Sequence, residues 1–473
     1  MQKLIKNGTL VTSMKTERAD LLIDDGEITQ VGQGIHANEA CEVIDASGLL
    51  VLPGGVDVHV HLDLPMFNTV SSDDHYTGTK AAACGGTTTV IDFVSQDSDD
   101  LLKCVAALRR KADASVAVDY GLHMNITNLN PKVEEQIPLL VNAGITSLKV
   151  FTAYNDRLRL RDDEIFRVMR IAREHGLLTM LHAENGDIID LLVREALQQG
   201  RTAPVWHART RPAWGAVEAV LRGAALAASA QAPLYIVHIN VAGEVDMLKY
   251  ARDHGVQVLG ETCPQYLFFT EDDLKRPDAA RWICSPPLRT VNDQQRIWNG
   301  LKEGAIQVLS TDHCPFFFDG TKPIVYEGNE IAIPGKELGE DYFTRIPNGL
   351  PGVGDRLPVL WTKMVSSGEF SINEFVSLTS TNPARIFGMY PRKGSLTPGA
   401  DADIVLWDPE REVRYGLAFA QHRTDYNLYE GWSLRGYPVR VLSRGRTVYN
   451  EGTWSGRPGD GRFIYRDKFA GLI

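Results

Sequence analysis

The sequence predicts an α/β chain: a (β/α)8 barrel of the TIM type with a small discontinuous β-sandwich made from both chain ends. Three observations predict it. Along the middle of the chain, the end of a helix-like stretch, a glycine and an apolar strand-like run recur in that order. The apolar runs number eight. The two chain ends share a text of short strands and tight turns that the middle lacks.

The first element is residues 1–53. LIKNGTLVT carries Asn-Gly and DLLIDDGEITQVG carries Asp-Gly. Both dipeptides favour the tight turns of β-hairpins. Similar text returns after residue 393 as DADIVLWDP and VRVLSRGRTVYNEGTW. Neither end is large enough to form a core alone, so 1–53 and 394–473 are expected to pack as one domain, the latter with a tail. Residues 54–393 form the barrel. Its strands are read at 56–61, in CGGTTTVIDF, at 117–124, in NAGITSLKVF, in REHGLLTMLH, at 233–239, in RDHGVQVLGE and in KEGAIQVLS. Glycine past a helix end accepts positive φ without steric cost. Runs rich in Val, Ile, Leu and Thr suit buried parallel strands. Amphipathic stretches such as DEIFRVMRIAREH lie between them. Eight such units argue for a closed barrel. A doubly wound open sheet is the alternative, but it often shows a Gly-rich nucleotide loop after its first strand.

Composition narrows the function. The chain has 473 residues, 44% hydrophobic and 23% charged, ordinary for a globular protein. A net charge of −11 argues against nucleic acid as partner. No apolar run is long enough for a membrane span, and the N-terminus lacks the apolar region of a signal peptide. The six cysteines are scattered with no CxxC pair, which fits reduced thiols in the cytoplasm.

Chemistry in such a barrel sits at the C-terminal ends of the strands. Run one ends at His59 and His61, run four contains Lys149, run five ends at His182, run six at His238 and run eight at Asp312. Residues two apart on a strand share a face, so His59 and His61 both enter the barrel mouth. Imidazole is the commonest ligand for a catalytic metal. His182 or His238 alone reads as a core histidine, and Asp312 alone as a cap. Five strand ends carrying such groups together point to a metal cage. Lys149 admits two readings: an ion-paired lysine, or a neutral amine carboxylated by CO2. The resulting carbamate has two oxygens that can bridge cations at the two-metal spacing of roughly 3.5–4 Å.

The set HVH, SLKVF, MLHAEN, IVHIN and STDHCP resembles the binuclear amidohydrolases. PGGVDVHVHLDLP, AAACGGTTTVIDF, KVFTAY, ETCPQYL, SPPLR, PNGLPGVGDR, TSTNPARIFG and PGADADIVLWDP resemble the dihydropyrimidinase and hydantoinase family over nearly the whole chain. That resemblance implies roles. His59, His61 and Asp312 would hold one divalent metal, and His182 and His238 a second. Lys149, as N6-carboxylysine, would bridge both together with a hydroxide, and zinc is the usual metal. Tyr154 matches the tyrosine that steadies the developing oxyanion. Ser285 and Asn348 match positions that hold the cyclic imide or amide, largely through main-chain groups. Asp312 would move the proton from the hydroxide to the leaving nitrogen. The implied reaction opens 5,6-dihydropyrimidines or 5-substituted hydantoins to N-carbamoyl amino acids, in a cytoplasmic homotetramer.

Two rivals share much of this pattern. Dihydroorotases and allantoinases typically carry an arginine after HxH, where this chain has Leu62 and then Asp63. An apolar residue there removes a bidentate anion clamp. Non-enzymatic scaffold relatives have lost metal ligands that this chain keeps. Two departures from the family are visible: Gly354 stands where many members have glutamate, and the segment at 316–343 is longer than usual. Because that segment follows the last strand, it is expected over the active-site mouth, reshaping the pocket. Leu64, Met66, Phe67, Phe151 and Leu158 are expected to line a pocket for the ring substituent.

Overall fold

The computed structural model describes residues 2–36, 38, 40–66 and 68–471. Its centre is an eight-stranded sheet in which every neighbouring pair runs parallel. The strands are β1 (Gly55–Asp57), β2 (Thr87–Val94), β3 (Asp119–Asn125), β4 (Ser147–Phe151), β5 (Leu178–His182), β6 (Leu234–Ile236), β7 (Val258–Thr262) and β8 (Val308–Leu309). Val60, just past β1, bridges His313, just past β8, also in parallel. The His61 amide donates to the His313 carbonyl at 2.7 Å. The sheet therefore closes at the end where the segments carrying His59, His61 and Asp312 leave it. All eight strands fall on the eight apolar runs.

The glycines of the recurring pattern explain why those runs begin where they do. Gly86, Gly144, Gly176, Gly255 and Gly304 all have positive φ. Gly176 is the clearest case. It ends helix α1 (Asp162–His175) in the left-handed conformation, its amide donating to carbonyls of the last turn. Asp162, Asp163 and Glu164 fill the first turn of α1 and favour its positive end. Ile165, Val168, Met169 and Ala172 are its buried residues, at i, i+3, i+4 and i+7. Burying each larger side chain of that stripe contributes about 1.5–3 kcal/mol.

Both chain ends form the second unit. A four-stranded sheet comes from Glu27–Gly32, Asp20–Asp24, Lys3–Lys6 and Glu42–Asp45. A seven-stranded sheet joins N-terminal strands Thr16–Arg18, Thr9–Val11 and Leu50–Pro53 to C-terminal strands Ile404–Arg414, Ser433–Ser443, Arg446–Asn450 and Thr453–Trp454. The seam is the antiparallel pairing of Leu50–Pro53 with Ile404–Trp407. One apolar core, including Ile5, Leu21, Val51, Ile404 and Leu442, draws on both ends.

Of the two expected hairpins, one forms. Asp25-Gly26 turns Asp20–Asp24 back onto Glu27–Gly32. Asn7-Gly8 does something else: the strand before it lies in the smaller sheet and the strand after it in the larger. It is a corner between sheets. Gly8 fits because a Cβ there would come within 2.6 Å of the Val51 side chain.

Among the described residues, no helix is long and apolar enough to cross a membrane.

Candidate functional site

The site is built at the strand ends. His59, two residues past β1, is fully buried. Its Nε2 lies 2.9 Å from Lys149 Nζ and 3.1 Å from Asp312 Oδ1. His61 Nε2 is 3.1 Å from the same oxygen. One donor atom each from His59, His61 and Asp312 fall within 4.8 Å of one another. On the far side of the Lys149 strand, His182 Nδ1 and His238 Nε2 stand 2.9 Å apart.

The hydrogen-bond partners of these rings favour metal ligation. His59 Nδ1 donates to Glu261, which leaves its Nε2 lone pair facing Lys149 and Asp312. His182 Nε2 donates to Glu184 at 3.0 Å, which leaves Nδ1 facing His238. A carboxylate behind a histidine is the usual device for orienting a metal-binding ring. The donor set, four imidazoles and a carboxylate around a central lysine, fits divalent metal, and His59, His61 and Asp312 come close enough together to share an ion.

Electrostatics agree for most members. Burial presses His61, His182 and His238 below the ordinary histidine value, which favours the neutral, ligating ring. Burial and the Lys149 ammonium also press on His59, but Asp312 and Glu261 outweigh them and it lies above its ordinary value. Burial opposes ionisation of Asp312, yet the charges and hydrogen bonds of His59 and His61 hold it well below the carboxylate range. Burial brings Lys149 down to about 8. The neutral amine is the form that reacts with CO2, and this shift enlarges its share. Phe93 floors the site, 4.8 Å from the centroids of both His59 and His61 and 4.2 Å from Lys149 Nζ.

Tyr154, His238 and Asp312 have φ of 64°, 41° and 52°. Non-glycine residues in this region cost about 1–3 kcal/mol each and cluster where the surrounding structure imposes a functional geometry. For Tyr154, the hairpin-like loop after β4 does this: the amides of Arg157, Leu158 and Arg159 all donate to its carbonyl. The Tyr154 ring stands 5.1 Å from that of His182. Burial raises its hydroxyl to about 12, so it remains a donor at neutral pH.

A cavity of about 610 Å³ opens above these groups. His61, Lys149, Tyr154, His182, His238, Ser285, Asp312 and Asn348 line it, and His59 is sealed beneath. All nine residues expected from the sequence thus share one place. Leu64, Met66, Phe151 and Leu158 also line the cavity, while Phe67 lies outside the described residues. Ile189, Val193 and Phe343 add to the apolar wall.

Two expectations need correction. Leu62 does not face the cavity. It is buried against the helix His75–Cys84, where a Cβ on Gly78 would come within 2.3 Å of its Cδ2. Strand alternation explains this: the faces that place 59 and 61 inward turn 62 outward. Asp63 pairs with Lys111 at 2.9 Å and does not line the cavity. The long segment at 316–343 also stays mostly out of the cavity wall, although Lys336 braces the segments behind it. Its hairpin, Ile324–Tyr326 with Asn329–Ile331, is anchored by Lys80 to Glu327 at 2.7 Å and by the Tyr326 hydroxyl to the Gln421 carbonyl. The neck is pinned by Glu337, which accepts from the Gly320 and Gly335 amides. Of this segment only Phe343 lines the cavity.

The sequence reading missed the groups behind these histidines. Glu261 accepts from His59, from the Tyr235 hydroxyl at 2.9 Å and from the His238 amide at 3.3 Å. Glu184 is held at about 2: burial pushes it up, but Arg211 and His182 pull further down. Asp57 accepts from the Thr311 hydroxyl at 2.6 Å and staples the first strand to the last. The signals were present, since Glu261 is near the end of the seventh run and Glu184 two residues past His182.

A model of the amidohydrolase family matches residues 50–448. The chain is 42% identical over 477 residues to a D-hydantoinase of Geobacillus stearothermophilus, covering 100% of this chain and 98% of that protein. It is 43% identical over 472 residues to a D-hydantoinase of Rhizobium radiobacter, covering 99% and 100%. The crystal structure of a dihydropyrimidinase from Brevibacillus agri NCHU1002 superposes with a TM-score of 0.95 at 43% identity, over 99% of this chain and 100% of that one.

Proposed function

Because the chain belongs to the amidohydrolase family, in its hydantoinase and dihydropyrimidinase branch, we propose that it opens the ring of 5-substituted hydantoins or 5,6-dihydropyrimidines. The ring C–N bond breaks, water adds, and an N-carbamoyl amino acid leaves. The observation that carries this reading is the convergence of four histidines, Lys149 and Asp312 at one end of the barrel. Relatives named as D-hydantoinases favour the D-hydantoins as substrates.

His59, His61 and Asp312 would hold one divalent ion and His182 and His238 the other, with carboxylated Lys149 between them and zinc as the expected metal. When bound, such ions lower the pKa of water from 15.7 to about 7 and polarise the carbonyl under attack. The Tyr154 hydroxyl, kept protonated, donates to the oxygen that gains charge. Asp312 takes the proton of the attacking water and returns it to the ring nitrogen as the bond breaks. Ser285 and Asn348 hold the planar amide edge. The apolar wall of Leu64, Met66, Phe151 and Leu158 receives the substituent. The same proposal divides the chain at 1–53, 54–393 and 394–473 and includes a cytoplasmic homotetramer.

One assay panel tests it. Zinc- and bicarbonate-treated protein is offered dihydrouracil, hydantoin, D- and L-phenylhydantoin, dihydroorotate and allantoin. Turnover of the first four, with D over L, is the expected result. Turnover of dihydroorotate and allantoin alone would overturn the reading. Absence of both metal and activity would make the chain a scaffold.

A further inference from the structure

Ser285 and Asn348 sit on two separate peptide segments, and something must hold those segments at a fixed spacing. Around Ser285 the neighbouring carbonyls are strapped by buried side chains. Cys284 accepts from His207 Nε2 at 2.8 Å, Pro286 from the Tyr266 hydroxyl at 2.9 Å, and Pro287 from the Asn240 amide at 2.6 Å. Ile283 accepts from Lys336 Nζ at 3.0 Å. Lys336 Nζ also donates to the Pro347 carbonyl at 3.2 Å, next to Asn348. The Gly349 amide joins the same pair of segments by donating to Ile283 at 3.1 Å.

Lys336 is an unusual choice for this task. It is 1% exposed, and among the described residues no carboxylate forms an ion pair with it. A buried charge without a counter-charge costs stability that an apolar side chain of the same volume would not. Burial holds its ammonium down at about 7. What its N–H groups reach is one carbonyl two residues before Ser285 and one directly before Asn348.

We propose that Lys336 is a positioning residue for ring opening, one side-chain amino group whose two carbonyl contacts set the distance between the Ser285 and Asn348 segments that grip the cyclic amide. The inference rests on the reading that these segments hold the substrate. Lys336 touches neither ring nor metal ligand in this arrangement. Its removal therefore loosens the grip on the ring and leaves the cage intact.

The test compares Lys336→Met, which keeps the stem as far as Cε and loses the donors, with Lys336→Gln, which has the same reach as Met and carries two N–H donors. Both are measured in zinc-loaded protein on dihydrouracil and D-phenylhydantoin, with zinc content and the mass of the Lys149 carboxylate recorded alongside. Lys336→Met is expected to raise KM about tenfold or more, the equivalent of at least one lost hydrogen bond, with kcat within about threefold. Lys336→Gln is expected to raise KM at least about threefold less than Lys336→Met, since its N–H donors replace part of what is lost. Zinc and carboxylation stay at parent levels in both. An unchanged KM in Lys336→Met, an equal rise in both variants, or a fall in zinc content overturns the proposal. If Lys336→Met does not fold, Lys336→Leu takes its place with the same expectation. A parent enzyme inactive on every cyclic amide would instead overturn the functional reading, before any variant is compared.

Discussion

Replacing Glu261 by glutamine perturbs the proposed metal site without touching a proposed ligand. Three donors converge on this fully buried carboxylate: His59 Nδ1, the Tyr235 hydroxyl and the His238 amide. A carboxylate only accepts, so it serves all three. An amide has one oxygen and two N–H donors. Its oxygen can take the place that faces His59 and the His238 amide, and its NH2 then meets the Tyr235 hydroxyl, which must turn to accept. Packing is kept, but the negative charge behind His59 is lost. A hydrogen bond to a charged group contributes about 1.5–3 kcal/mol. Loss of a partner behind a metal-bound histidine typically costs about 10–100-fold in metal affinity, about 1.4–2.7 kcal/mol. The two routes agree. Competition between the protein and a chromogenic chelator should therefore show zinc held about 10–100-fold more weakly in Glu261→Gln. Zinc affinity within about threefold of the parent would refute the argument, because one lost charged hydrogen bond exceeds that margin.

Three further outcomes are expected. Tyr154→Phe should lower kcat by about 10²–10³ with little change in KM, as for other single oxyanion donors, and a change in KM alone would assign Tyr154 to packing. Burial pushes Asp73 up, but the His313 hydrogen bond at 3.2 Å and charge pull it down to about 2. Its folded value lies below the unfolded value of about 3.9, so it stabilises by about 2–3 kcal/mol above that pH and loses this as pH falls through about 2. Urea titrations should then show Asp73→Asn destabilised at neutral pH and converging with the parent in acid, whereas an equal loss at every pH would contradict this account. Replacing residues 321–334 with a short turn between the pinned Gly320 and Gly335 should leave relative rates on the ring panel unchanged, since only Phe343 of the long segment reaches the cavity. Altered relative rates would return that hairpin to the active site.

The barrel was legible because its signals are local. Each glycine that starts an apolar run has the positive φ such a helix end requires, and period-two alternation put His59 and His61 on one face. The same alternation, carried one residue further, turns Leu62 away from the cavity, where the motif comparison had placed the discriminating position. Glu261 stayed hidden for another reason: at a strand end it reads as a terminal polar residue until His59, about two hundred residues away, is seen to donate to it. Asn7-Gly8 carries a hairpin's dipeptide, yet which sheet the next strand joins depends on Val51 and the C-terminal strands, not on the turn. The hairpin of the long segment follows its contacts to Lys80 and Gln421, which chain order does not reveal.

The seam between Leu50–Pro53 and Ile404–Trp407 has a consequence for biosynthesis. The earlier strand leaves the ribosome long before its partner exists. At about 5–20 residues per second, the roughly 350 intervening residues take roughly 20–70 s to make. During that interval one edge of Leu50–Pro53 offers unpaired amides and carbonyls to any passing strand. Nascent chains stalled short of Ile404 are thus the form of this protein most in need of a chaperone, and synonymous changes that slow translation between the two strands should lower soluble yield without altering the finished enzyme.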